Sequence, residues 1–388
     1  MKKSGEALFD FAALCLWLIA SIAFAIYVFV EFGQDFRGYY AAARVLLAGG
    51  NPYDYVQVAR VLLEVTGQAG NNPFYYPLWF GWFFVPFSWL PFQTARLAWM
   101  FLNWALWIFG LLRMQQLLDF PSKGWRRWML YLLATFLFAW TTWKFEQAGV
   151  LLFVITIEIL ISYKKQQWNR MGIFMALALI KPNVMLLPIA ALGLWLHLNK
   201  KWQPVRTALV TLFGLVVITT LLTPDWYQPF FRRNFGQGLT EVLDGPGQVT
   251  GVRLNTTLLS WLKWYSVPEI VRMGLYLTVV LAALWILWRS IRTSNSIVEV
   301  VVIALLASFA ITPYALQYDF TPLALVLFWT LAMSRNAKGK LVPILIVALI
   351  TSVLIWERSI SDGYWIVIGL IGFTVWVKKK GEVAVVAE

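Results

Sequence analysis

Cysteine and histidine are all but missing. One of each occurs among the 388 residues, Cys15 and His197, which excludes a disulfide framework and any metal centre built on thiolates or imidazoles. Charge is scarce too: Asp, Glu, Lys and Arg make up 13% of the chain against 60% hydrophobic and 17% aromatic residues, too little for the surface of a soluble domain. No Asp-x-Asp pair occurs, so a paired-carboxylate grip on a divalent ion and a nucleotide-sugar diphosphate is not available. Low-complexity linkers and short-period repeats are also absent, which leaves one integral membrane domain over residues 1–388. His197, beside "NKKW", reads as an interfacial side chain.

What remains is a series of long apolar runs. They lie near residues 8–30, 93–112, 128–143, 148–163, 171–180, 183–198, 205–222, 268–288, 298–313, 319–333, 341–356 and 364–377, which predicts an all-α polytopic bundle of about 12 transmembrane helices. The net charge of +13 is then a matter of sidedness and not of nucleic acid. With both termini cytoplasmic, the segments "MKK", "SKGWRR", "YKKQQWNR", "NKKWQPVR", "WRSIR", "SRNAKGK" and "KKK" gather most of the lysines and arginines inside, as the positive-inside rule requires. The first run outlasts a secretory signal and reads as an uncleaved anchor. The expected location is the plasma (inner) membrane.

Two stretches decide the topology. "YYPLWFGWFFVPFSWLP", residues 75–91, is interrupted by Pro77 and Pro86 and crowded with aromatics, so it reads as an outer juxtamembrane helix and not a span. In "MGIFMALALIKPNVMLLPIAALGLWLHL", a single helix would carry Lys181 near mid-membrane at roughly 2.5 to 3.5 kcal/mol, with Pro182 breaking it. Two short spans meeting at an outer Lys181 cost less. The long polar stretches 31–92 and 223–267 then both face outward, which puts function on that side.

Within the first outer loop, Tyr40, Ala43 and Leu47 share one helical face and Arg37 and Arg44 another. A second short helix reads from Asn51 as N-cap and Pro52 at the first position to Gly67. Both are expected to lie on the membrane surface and roof a cavity. Asp35 precedes them, where a carboxylate meets a hydroxyl from outside and a lipid-borne group from the bilayer; it reads equally well as a solvated acid or cap.

The segments "QDFRGYYAAARVLLAGGNPYD", "FYYPLWFGWFFVPFSWLP", "ARLAWMFLNW", "FEQAGVLLFV", "LALIKPNVMLLP", "RLNTTLLSWL" and "ITPYALQYDFTPLAL", in this order, resemble the polytopic GT-C glycosyltransferases, and among them glycosyltransferase family 87, which includes polyprenol-phosphate-mannose-dependent mannosyltransferases. The resemblance implies a GT-C-like bundle and an Asp after the first span as catalytic base, which falls on Asp35. In "TPYALQYDF" the mannosyltransferase branch often carries histidine where this chain has Gln317, Tyr318 and Asp319, a departure that leaves the sugar open.

Glycosyl transfer to a hydroxyl needs a base for the proton and a positive or hydrogen-bonding site for the departing phosphate. A lipid phosphate leaves tolerably without a metal, and outer-face chemistry has no cytosolic nucleotide sugars to draw on. The expected donor is therefore a polyprenyl-phosphate sugar taken as co-substrate, with no cofactor and no metal, and the acceptor is a hydroxyl of a glycolipid or glycan. Candidate phosphate partners are Arg253, Lys181 and Lys144, with Arg232 and Arg233 behind them. Tyr39 and Tyr40 read as sugar-stacking rings or interfacial anchors, with room for only one to face the cavity. Asn255, Tyr314, Gln317 and Asp319 are further substrate-binding candidates, Asp319 equally as a cap for the next span. Membrane lipids are the expected surroundings; sequence leaves oligomeric state open. A lipid-linked sugar flippase is the rival reading, disfavoured because transporters carry midplane charge and repeated halves.

Overall fold

The computed structural model describes residues 2–31, 35–67, 74–118, 125–232, 255–333 and 364–379. The helices are α1 (Lys2–Glu31), α2 (Asp35–Leu47), α3 (Tyr55–Thr66), α4 (Leu78–Phe83), α5 (Val85–Ser88), α6 (Phe92–Leu117), α7 (Trp125–Ala134) and α8 (Trp140–Lys144), the last two joined by a π-turn over Thr135–Ala139. Then come α9 (Gly149–Lys164), α10 (Trp168–Ala178), α11 (Pro182–Leu198), α12 (Trp202–Leu222), α13 (Tyr227–Phe231), α14 (Leu258–Trp264), α15 (Glu269–Thr293), α16 (Ile297–Ile311), a 3₁₀ turn at Gln317–Phe320, α17 (Leu323–Met333) and α18 (Tyr364–Lys379). Among the described residues there is no strand, only an isolated bridge between Asn255 and Leu316.

Every apolar run within the described residues is occupied by a helix; the run at 341–356 lies outside them. Among the described residues three helices, α6, α12 and α15, are long and apolar enough to cross a membrane. The chain is an all-helical membrane protein. Residues 75–91 contain two short helices broken at Phe84, and α10 and α11 are separate helices that meet around Lys181.

Helix α9 is apolar on every side and is accordingly buried nearly throughout, packed between α6 and α10. Its one buried acid, Glu158, is neutralised from both neighbours, by Arg113 of α6 at 2.6 and 3.2 Å and by Arg170 of α10 at 2.6 Å. The π-turn has a local cause. Thr135 donates its hydroxyl to the Tyr131 carbonyl at 2.7 Å and accepts the indole N–H groups of Trp107 and Trp17, which opens the helical ladder and ties α1, α6 and α7 together.

The segment that follows α1 is packed more deeply than a helix lying on a membrane surface. In α2, Phe36, Gly38, Tyr39 to Ala43, Val45 and Leu46 are buried against α3, α4 and α5, while Leu47 is exposed. The start of α3 also differs from expectation. Asn51 accepts from the Tyr53 N–H at 2.9 Å, closing a turn of its own. Asp54 takes over as the cap, accepting from Val56 N at 2.9 Å. Gly67 ends the helix at φ 68°.

Candidate active site

Asp35 stands in the first turn of α2, where the helix dipole favours a carboxylate. Phe36 anchors the next position among Phe84, Phe92 and Tyr40. One turn on, the Tyr39 ring stacks on Phe84 at 4.7 Å between centroids, and its hydroxyl donates to the Gln147 side-chain oxygen at 2.6 Å and meets the Tyr76 hydroxyl at 2.7 Å. Tyr40 points elsewhere, its hydroxyl donating to the Leu90 carbonyl at 2.8 Å.

Gln147 is the hub. After α8 the chain turns back on itself: Glu146 N–H donates to Trp143 O at 3.0 Å and Gln147 N–H to Thr142 O at 2.8 Å, with Glu146 at φ 55°, a left-handed conformation normally given to glycine and costing of order 1–3 kcal/mol for another residue. This turn directs the Gln147 side chain at α2. Its Oε1 accepts from Tyr39, from Tyr76 and, at 3.3 Å, from Lys181. Its Nε2 donates to Asp35 Oδ2 at 2.5 Å. An ammonium only donates, so the amide oxygen must face Lys181, and the NH₂ group must face Asp35. The oxygen of Asp35 that receives it is thereby held as an acceptor. Asp35 remains partly exposed, and among the described residues its other oxygen has no hydrogen-bond partner.

Behind the hub lies a buried ion pair between Lys181 and Asp319. The ammonium also lies over the rings of Tyr318 at 4.6 Å and Tyr76 at 5.2 Å. Asp319 is filled on its other side by Leu316 N–H at 2.9 Å. The segment carrying it is clamped by Asn255, which accepts from Ala315 N at 3.1 Å and donates to Pro313 O at 3.3 Å. Two residues on, Thr257 caps α14. Gly149 allows the 3₁₀ turn to approach, since a Cβ there would sit 2.2 Å from the Tyr318 carbonyl.

Burial governs the protonation of these groups. It raises the Asp35 carboxyl above its ordinary value, against the opposing Gln147 hydrogen bond and Lys181 charge. Burial, with the Asp35 charge beside it, keeps Tyr39 neutral, and burial does the same for Tyr76, Tyr314 and Tyr318. For Lys181, burial opposes the charge, and Asp319 and Tyr76 override it, so the ammonium is held above its ordinary range. The cluster therefore offers a carboxylate with elevated basicity, neutral phenols and one fixed cation.

The structure brings Asp35, Tyr39, Lys181 and Asp319 together through Gln147. The charge of Asp35 also acts on Tyr314, whose phenol bonds Tyr318. Gln317 is buried in the 3₁₀ turn. Lys144 lies over the Trp140 and Phe145 rings at 5.7 and 5.8 Å, and Arg232 is exposed beyond α13. Arg233 and Arg253 lie outside the described residues. Sequence reasoning missed Gln147, Tyr76, Glu146 and Arg96. All four lie in segments that carry the family resemblance, Tyr76 in "FYYPLW", Arg96 in "ARLAWM" and Glu146 and Gln147 in "FEQAG", but nothing in those segments gave them a role.

A model of glycosyltransferase family 87 matches residues 74–313, a span that contains Tyr76, Arg96, Glu146, Gln147 and Lys181 and exceeds half of the chain. The chain belongs to glycosyltransferase family 87. It is a membrane glycosyltransferase of GT-C type. Asp35 and Asp319 flank the matched span on either side, and the fold returns Asp35 to the Gln147 side chain directly and Asp319 to it through Lys181. No curated protein and no solved structure matches this family member.

Proposed function

We propose that the chain moves a sugar from a polyprenyl-phosphate donor to a hydroxyl of a lipid or glycan acceptor on the extracytoplasmic face of the plasma membrane, with Asp35 as general base. The observation that supports this best is the Asp35 carboxylate, held as an acceptor by a side-chain amide whose own orientation is fixed, with one oxygen left over for an incoming hydroxyl. A base raised toward neutrality is matched to this task. Asp35 takes the proton as the acceptor oxygen attacks the anomeric carbon, and the bond from that carbon to the phosphate oxygen breaks. The polyprenyl phosphate leaves with its charge met by a cation and needs no metal.

Lys181, Lys144 and Arg253 remain the proposed phosphate partners. For Lys181 the donor phosphate would compete with Asp319 for the ammonium. Tyr39 and Tyr314 border the base and offer neutral phenols to sugar hydroxyls; Gln317 and Asp319 stand in the turn beside them, whereas Tyr40 and Asn255 act on the scaffold. The sugar is mannose or another hexose or pentose.

The test is purified chain in vesicles with radiolabelled polyprenyl-phosphate mannose, glucose or arabinose and a lipid extract as acceptor. A new glycosidic bond in the lipid fraction supports transfer. Movement of label across the vesicle without a new bond would make the chain a flippase.

A further inference from the structure

One buried titratable group has no part in the mechanism above. Glu146 is 1% exposed, ion-paired through Oε1 with Arg96 of α6, and fixed at its carbonyl by the Trp99 indole N–H at 2.8 Å. Its Oε2 is buried without a hydrogen-bond partner. Four other described non-glycine residues have positive φ, namely Gln166, Lys200, Asp225 and Ser266, and all four are exposed. Glu146 is thus the one that places a buried charge in a conformation glycine would adopt without strain. It immediately precedes Gln147, the residue that orients Asp35.

We propose that Glu146 is a positioning residue of the transfer site: with Arg96 it fixes the turn that aims Gln147 at Asp35, and its ionisation is coupled to that of Asp35. The role rests on the reading of Asp35 as the base. The charged groups that face Glu146 are Arg96 from α6 and Asp35 and Arg37 from α2. Burial pushes the Glu146 carboxyl up to about 7, Arg96 pulls it down, and the Asp35 charge pushes it further up. The orphaned Oε2 agrees with this, since an ionised carboxylate lacking a donor on one oxygen is poorly held. When Asp35 is neutralised by the acceptor's proton, the repulsion on Glu146 is relieved and its pairing with Arg96 tightens. The turn is then held most firmly as the proton arrives. Two interacting carboxyls of this kind titrate as a unit.

The test is an infrared titration of protonated carboxyl absorption in the purified full chain, alongside the pH profile of transfer. A band titrating near pH 7 is expected in the wild type, absent in Glu146→Gln and displaced to lower pH in Asp35→Asn. In transfer, Glu146→Gln is expected to lower kcat by roughly ten- to a hundredfold with KM for the lipid donor little changed, and Glu146→Asp to recover part of it. Should Glu146→Gln fail to fold once Arg96 loses its carboxylate partner, the double variant Arg96→Leu/Glu146→Gln, which removes both charges, carries the same comparison. A Glu146→Gly variant with full kcat and an unchanged pH profile would reduce Glu146 to a helix-end residue, and a Glu146 band indifferent to Asp35→Asn would overturn the coupling. Normal transfer by Asp35→Asn would remove the base while leaving the infrared coupling intact, so the two failures are distinguishable.

Discussion

Gln147 donates its side-chain amide to Asp35 at 2.5 Å across 112 residues of sequence, while the same side chain's oxygen gathers Tyr39, Tyr76 and Lys181. Gln147→Leu removes both functions and is expected to lower kcat by about 10²-fold, the scale of a misplaced catalytic group. Gln147→Glu sets a like charge against Asp35 and raises its carboxyl further, so the acid limb of the rate profile moves to higher pH. Transfer assays across pH check both; an unmoved limb in Gln147→Glu would separate Gln147 from the base.

The Lys181 and Asp319 side chains are both almost fully buried. Lys181→Met leaves Asp319 charged and uncompensated and is expected to cost about 3–5 kcal/mol, whereas Lys181→Met/Asp319→Asn recovers most of it. Thermal melting in detergent reads the difference. If the double variant folds and also loses affinity for the lipid donor, Lys181 contributes to the phosphate site.

Glu146 also makes stability depend on pH. Its carboxyl is raised from 4.5 to about 7 in the folded protein, so between these values the folded chain holds a proton that the unfolded chain has released. This contribution is fully present below about pH 4.5 and is lost as the pH rises through 7, on the order of 3 kcal/mol in all. The stability difference between wild type and Arg96→Leu/Glu146→Gln is expected to fall in the wild type's disfavour over that window. A difference that stays flat would show that Glu146 does not titrate there.

The outward placement of the first loop is open to labelling. In a Cys15→Ser background, Asp54→Cys at the exposed start of α3 is expected to react with an impermeant maleimide on intact cells, and Lys200→Cys, after α11, only once the membrane is opened. The reverse pattern would turn the site to the cytosol.

Helix positions were legible because apolar runs separated by proline and basic residues leave few alternatives. Pro182 and the cost of placing Lys181 at mid-membrane separate α10 from α11 in the sequence, and the two are separate helices in the structure, where Lys181 is buried with Asp319 as its partner. Asp35, Tyr39, Tyr314 and Asp319 were legible as candidates by residue type and position. Gln147 was not, because a neutral amide acquires its role from contacts far along the chain and from a turn at Glu146 whose left-handed backbone no residue type announces. The clamp made by Asn255 was not legible for a related reason: it depends on the bridge to Leu316, some 60 residues along the chain. The depth of α2 escaped notice because a row of alanines reads as weakly apolar until Tyr39, Tyr40 and Phe36 find partners on α4 to α6.

The most direct measurement is transfer of radiolabelled sugar from polyprenyl phosphate to lipid acceptor by wild type and by Asp35→Asn, with folding verified by melting. The account expects loss of about 10²- to 10⁴-fold in kcat, the contribution of a general base, with the donor still bound. Transfer at the wild-type rate by Asp35→Asn would contradict it.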